Sequence, residues 1–152
     1  MLSQKAKYAL RALTVLAGLK AGEQAQIAQI ADEARVPRKF LEQILLDLKK
    51  RGLVHSTRGK LGGYVLGRPA AAIELAEVIR TIDGPLAMSP CASRMAYRKC
   101  DDCDDAATCE IRKVLLAVRD ATAAILEART LESILGKPAR SKRATTQRRS
   151  AP

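Results

Sequence analysis

Apolar residues recur at steps of three and four along most of the chain, and alternate with polar ones only in one short region. After Ser3, a residue able to cap a helix, Ala6, Ala9, Leu10, Leu13, Leu16 and Ala17 predict a helix over about residues 4–20, until Gly18 and Gly22 loosen the pattern. Ile27, Ile30, Ala31 and Ala34 mark a short second helix. Pro37 suits the first position of a third, running to Arg51, with Phe40, Leu41, Ile44, Leu45 and Leu48 on its apolar face and Gly52 as the C-terminal stop. Leu53–Thr57 and Tyr64–Leu66 then read as two short strands around the tip Arg58-Gly59-Lys60-Leu61-Gly62-Gly63.

Two helices joined by a tight turn, then a small hairpin, is the order of a winged helix, whose third helix enters the major groove while the wing touches a neighbouring groove or the backbone. The predicted fold class is mainly α with a small β-wing. The polar side of helix three suits base reading. Arg38 and Lys39 can meet phosphate or guanine, and Glu42 and Gln43 can read cytosine or adenine edges. A solvated amphipathic helix would carry a similar polar face. The wing tip favours the nucleic-acid reading, since three glycines with Arg58 and Lys60 have no obvious packing purpose. His55, in the first strand, reads as a sheet residue rather than a metal ligand.

Leu75, Val78, Ile79 and Ile82 outline a fourth helix that Asp83-Gly84-Pro85 breaks. Beyond a cysteine-rich stretch, a longer helix opens around Thr108, with Ile111, Val114, Val118, Ala121, Ile125 and Ala128 forming a heptad-like seam. From Ile111 to Arg129 it would span about 28 Å, too long for a small head to cover easily, so a second copy is the natural partner, with packing on its own head as the alternative. Thr130 can restart a turn carrying Leu131, Ile134 and Leu135. The organisation expected is a DNA-binding head over 1–83, a cysteine loop over 84–110, a dimerisation helix over 111–136 and a disordered basic tail over 137–152.

Charge sharpens this picture. The 152 residues carry a formal +11, with 14 basic and 8 acidic side chains in residues 1–83, 7 and 8 in residues 84–136, and 6 and none in the tail. Such a distribution attracts polyanions, nucleic acid first and an acidic membrane second. With 3% aromatic residues and no Trp the core must be aliphatic, and the wealth of Ala and Leu points to helices and against an all-β fold. No apolar run approaches the roughly 20 residues of a membrane span and the N-terminus lacks a secretory segment, so a soluble, cytoplasmic protein is expected.

All four cysteines lie within nineteen residues, as Cys91-x8-Cys100-x2-Cys103-x5-Cys109. In a reducing compartment such a cluster is free or metal-bound rather than disulfide-bonded. The Cys-x-x-Cys spacing suits zinc, an iron–sulfur cluster or a dithiol switch. The loop is highly charged, with four aspartates around Cys103 and Arg94, Arg98, Lys99, Arg112 and Lys113 nearby. Enzyme readings fare poorly: a zinc deaminase needs His-x-Glu, which His55-Ser-Thr lacks, and thioredoxin-type chemistry needs a strand–helix–strand unit that is absent. A protein-binding winged helix would show an apolar or acidic third helix.

The runs Lys7-Tyr-Ala-Leu-Arg11, Val36-Pro-Arg-Lys-Phe-Leu-Glu-Gln-Ile44, Lys50-Arg-Gly-Leu-Val54 and Arg58-Gly-Lys-Leu-Gly-Gly-Tyr-Val-Leu66, with the cysteine loop before a long helix, resemble the Rrf-two family of winged-helix regulators of the IscR, NsrR and RirA type. The likeness covers about residues 1–135. It implies a homodimeric transcription regulator, with repression as the expected action, whose DNA affinity follows a 2Fe-2S or 4Fe-4S iron–sulfur cluster responding to iron, redox or nitric oxide; two recognition helices related by a two-fold in turn expect an inverted-repeat operator, its half-sites about one helical turn or a multiple apart. Base contacts would fall to Lys39, Glu42, Gln43 and Arg58. By the x5 spacing, Cys91, Cys103 and Cys109 match the three family cysteines, leaving Cys100 as fourth ligand or spare thiol. The histidine ligand of IscR-like members is missing, since Glu110, Ile111 and Arg112 follow Cys109, and Lys7 stands where NsrR-like members carry an acidic ligand.

Overall fold

The structure, a computed structural model, describes residues 2–59 and 62–136, so Lys60 and the basic tail lie outside it. The first helix, α1 (Gln4–Gly18), starts where the Ser3 hydroxyl accepts the Ala6 N–H at 3.0 Å, and it buries Ala6, Ala9, Ala12, Leu13 and Leu16. It stops two residues short of the predicted end because Leu19 is already extended (ψ 147°). The Ser3 cap is itself held by the Asp83 carboxylate, which accepts the Ser3 N–H at 2.9 Å and its hydroxyl.

Helix α2 (Ile27–Ala34) ends at Arg35 in the left-handed conformation (φ 52°), and the Val36 N–H closes the turn on the Ala31 carbonyl at 2.9 Å. This is the non-glycine form of a common helix stop. Helix α3 (Arg38–Lys50) has Pro37 as its N-cap, one position before the expected one. Leu41, Ile44, Leu45 and Leu48 sink into the core, but Phe40 does not. Each helical residue turns about 100°, which swings Phe40 onto the shoulder of α3. There it stays 61% exposed with its ring edge against Tyr8, centroids 6.4 Å apart.

Gly52 (φ 68°) reverses the chain into β1 (Val54–Thr57), paired antiparallel with β2 (Gly63–Leu66) in the register Val54 to Leu66 and Thr57 to Gly63. Tyr64 also exchanges both backbone hydrogen bonds with Ala25, at 3.1 and 2.8 Å, pinning the wing to the α1–α2 connection. That contact gives Gly63 a packing purpose the sequence did not suggest. A Cβ on Gly63 would lie 2.8 Å from the Ala25 carbonyl oxygen, and one on Gly62 would lie 2.3 Å from that of Thr57.

Helix α4 (Leu75–Asp83) closes the head, as the Leu75, Val78, Ile79 pattern requires. Next come the cysteine loop and α5 (Glu110–Glu127), and then α6 (Leu131–Ile134), started by a reciprocal Thr130–Ser133 capping box. The chain returns to the head here. The Leu75 N–H donates to the Arg129 carbonyl at 2.9 Å, the Leu131 N–H to that of Ile73 at 3.0 Å, and Leu131 is fully buried. The head core thus extends past the boundary at residue 83, because α6 packs against α1 and the turn Ala70–Ala72 and puts Leu131 among the head's buried residues. Helix α5 buries none of its residues: Ile111, Val114, Val118, Ala121, Ile125 and Ala128, the seam positions, are all exposed, while its other side rests on α4 and the turn at Pro90–Ala92.

Candidate DNA interface and cysteine loop

The outward side of α3 is held by a short polar network. Asp47 accepts Lys5 Nζ at 2.7 Å and the Gln43 side-chain amide at 3.1 Å. Lys50 lies at 3.9 Å. The Lys5 hydrogen bond is the main reason the Asp47 carboxyl sits below the usual carboxylate range, with the charges of Lys5 and Lys50 adding to it against partial burial. Gln43 is therefore preset by α1 through Asp47 and keeps its amide oxygen and second N–H for a base edge. Arg38 pairs loosely with Glu42 at 3.5 Å, both exposed, and Lys39 is exposed beside them. Lys49 donates to the Ser56 hydroxyl at 2.6 Å, joining α3 to the wing. Arg58 is exposed at the end of β1, next to Gly59 at φ 114°. Leu46, absent from the sequence expectations although helical periodicity puts it on this side, is 47% exposed amid this polar surface.

Cys91, in the one-turn helix Pro90–Ala92, is buried with its sulfur 3.3 Å from the Ser89 hydroxyl. That hydroxyl is the largest cause of a lowered thiol pKa, helped by Cys100 and the charge of Arg112. The Cys100 thiol is raised, chiefly by its interaction with Cys91 and then by burial. Cys103 sits in a turn whose N–H reaches the Cys100 carbonyl at 3.3 Å. Cys109 caps α5, its sulfur accepting the Arg112 N–H at 3.4 Å. All four are unbridged.

A soft-donor set of four thiols is chemically suited to an iron–sulfur cluster or zinc. The placement is not: among the described residues no three Cys, His, Asp or Glu side chains converge on one metal-sized point. Lys7 is exposed on α1, and Glu110 pairs with Lys113 at 2.6 Å. The loop is instead tied to α5. Arg112 Nε donates to the Cys91 carbonyl at 2.9 Å with its guanidinium over the Tyr97 ring, and Arg119 donates to the Ala92 carbonyl at 2.6 Å. No residue from Arg94 to Thr130 is buried.

The model of the Rrf2 family, described as an iron-dependent transcriptional regulator, matches residues 2–137. The chain belongs to the Rrf2 family. An rrf2-like HTH-type transcriptional regulator of Rhodobacter capsulatus is 46% identical over 144 residues, covering 91% of this chain and 96% of that one. Among solved structures, CymR, the global cysteine regulator of B. subtilis, superposes with a TM-score of 0.73 at 29% identity, covering 90% of this chain and 96% of its own. T. potens IscR gives 0.71 at 24% identity, covering 95% and 92%. This Rrf2 protein is thus a DNA-binding transcription regulator with a winged-helix fold, and not an enzyme. Among the described residues, no helix is long and apolar enough to cross a membrane.

Proposed function

We propose that this Rrf2 protein is a homodimeric repressor that grips an inverted-repeat operator, and that the cysteine loop sets its affinity by holding an iron–sulfur cluster. The observation that carries the dimer is the bare seam of α5, where Ile111, Val114 and Ile125 are 73%, 63% and 64% exposed on one stripe. A soluble chain rarely leaves such a stripe to water, and a two-fold partner would cover it. Two heads so joined present α3 and the wing to successive major grooves, with Arg38, Lys39, Glu42, Gln43, Arg58 and Lys60 as the contacts.

Support for a cluster comes from the thiol set and from the iron dependence in the family description. Cys91, Cys103 and Cys109 are the proposed ligands, with Cys100 as the fourth. As placed, these side chains do not form the site, so ligation demands a new path for residues 94–109. The absence of buried residues there keeps the cost of such a change low. A second reading is favoured by the mutual influence of Cys91 and Cys100, whose thiols are shifted in opposite directions by one another: a dithiol that gives up two electrons and two protons to a peroxide, forming one S–S bond as the peroxide is reduced to water or an alcohol.

Purification without oxygen, with visible spectra and iron, sulfide and zinc assays, separates the readings. The cluster reading expects colour, iron and sulfide, lost in Cys91→Ala, Cys103→Ala and Cys109→Ala, together with altered operator affinity. A colourless protein whose DNA binding follows a Cys91–Cys100 disulfide would replace it with the dithiol, and a colourless zinc protein would sink both.

A further inference from the structure

We propose that Leu46 is a specificity-determining residue that packs on the methyl group of one thymine in each operator half-site; this rests on the DNA-reading role proposed for α3. The buried stripe of α3 is Leu41, Ile44, Leu45 and Leu48. At about 100° per residue, the opposite side carries Lys39, Gln43, Leu46 and Lys50 at steps of four, three and four, with Glu42 alongside. Leu46 stands in the middle of that row, 47% exposed, with polar or charged side chains on every helical neighbour that faces outward.

The surroundings say what meets it. A leucine that docks on another protein has apolar company, but the other exposed apolar residue of α3, Phe40, lies about 120° round the helix against Tyr8. The flanking Lys39 and Lys50 instead call for a polyanion. Within the major groove the thymine C5-methyl is the one apolar feature of a base edge, and aliphatic side chains are suited to it. From Lys39 to Leu46 is about 10 Å along the axis, roughly three base steps, so a helix lying in the groove can bring Gln43 and Leu46 to neighbouring bases together. Gln43 is already fixed by Asp47, which leaves Leu46 beside a preset polar reader.

The test uses the full-length protein and a site selected from a random duplex library, with each thymine replaced by deoxyuridine symmetrically in both half-sites. Wild type should lose about 4-fold per half-site at one position, the effect of one buried methyl group. Leu46→Ala, on an exposed helical position that alanine favours, should melt like wild type and bind thymine and uracil operators equally. Uracil tolerated everywhere by wild type, or a Leu46→Ala protein with undiminished thymine preference, overturns the assignment. A library that returns no preferred sequence sinks the DNA-reading proposal itself, and Leu46 with it.

Discussion

Arg112 fastens Cys91 to the long helix: its Nε donates to the Cys91 carbonyl at 2.9 Å, while its own N–H reaches the sulfur of Cys109 at 3.4 Å. One residue thus joins both ends of the cysteine loop at the start of α5. Any rearrangement of the thiols has to pass through this clasp. Arg112→Ala should loosen the segment, and trypsin should then cut at Arg94, Arg98 or Lys99 several-fold faster while the head melts unchanged. Equal cleavage rates would mean that Arg119 and the Pro90–Ala92 turn hold the loop by themselves.

The Lys5–Asp47 pair makes a pH-dependent contribution. Because Lys5 holds the Asp47 carboxyl below its unfolded value near 4, the stabilisation is complete above that value and is lost as pH falls through the lower folded one. Urea titrations should show Lys5→Ala less stable by about 0.5 kcal/mol near neutrality, with the gap closing in acid. A gap that persists below about pH 3 would assign Lys5 a packing role instead. Asp47→Ala should also release Gln43 and reduce discrimination among operator variants more than it reduces binding to random DNA.

Two glycines test the close backbone contacts of the wing. Gly67→Ala would force a Cβ to 2.1 Å from the Gly52 carbonyl oxygen, and Gly63→Ala to 2.8 Å from that of Ala25. Each should cost about 2–4 kcal/mol in thermal unfolding, since a backbone oxygen cannot rotate away. Gly22→Ala, in open space at φ 84°, should cost only about 1 kcal/mol from its left-handed conformation.

The seam and the head core should separate in sedimentation and melting. Val118→Asp places a charge on the bare stripe of α5 and should yield a folded monomer with much weaker operator binding. Leu131→Ala empties a fully buried site and should cost about 2–5 kcal/mol of head stability. A dimer that survives Val118→Asp would place the interface elsewhere.

The elements of the head were legible because each is specified locally. Ser3, Arg35-Val36-Pro37 and Gly52 punctuate helices whose apolar faces repeat every three or four residues, and the seam of α5 carries its own period. Even the bareness of that seam followed from its length relative to a small head. What neighbours along the chain could not decide was anything set by distant approach. Phe40 stands at the margin of the apolar face of α3, and only the way α3 meets α1 leaves it against Tyr8 and largely in water while Leu41 and Leu45 are in the core. The wing glycines are explained by the Ala25 and Thr57 carbonyls, the first of them nearly forty residues upstream of Gly63. Leu131 joins the head because residues 73–75 and 129–131 pair their backbones across the whole of the cysteine loop and α5. For the thiols, sequence spacing counts donors near one another along the chain, but direction in space depends on where Arg112 and Ser89 hold Cys91, and that is a property of the fold alone.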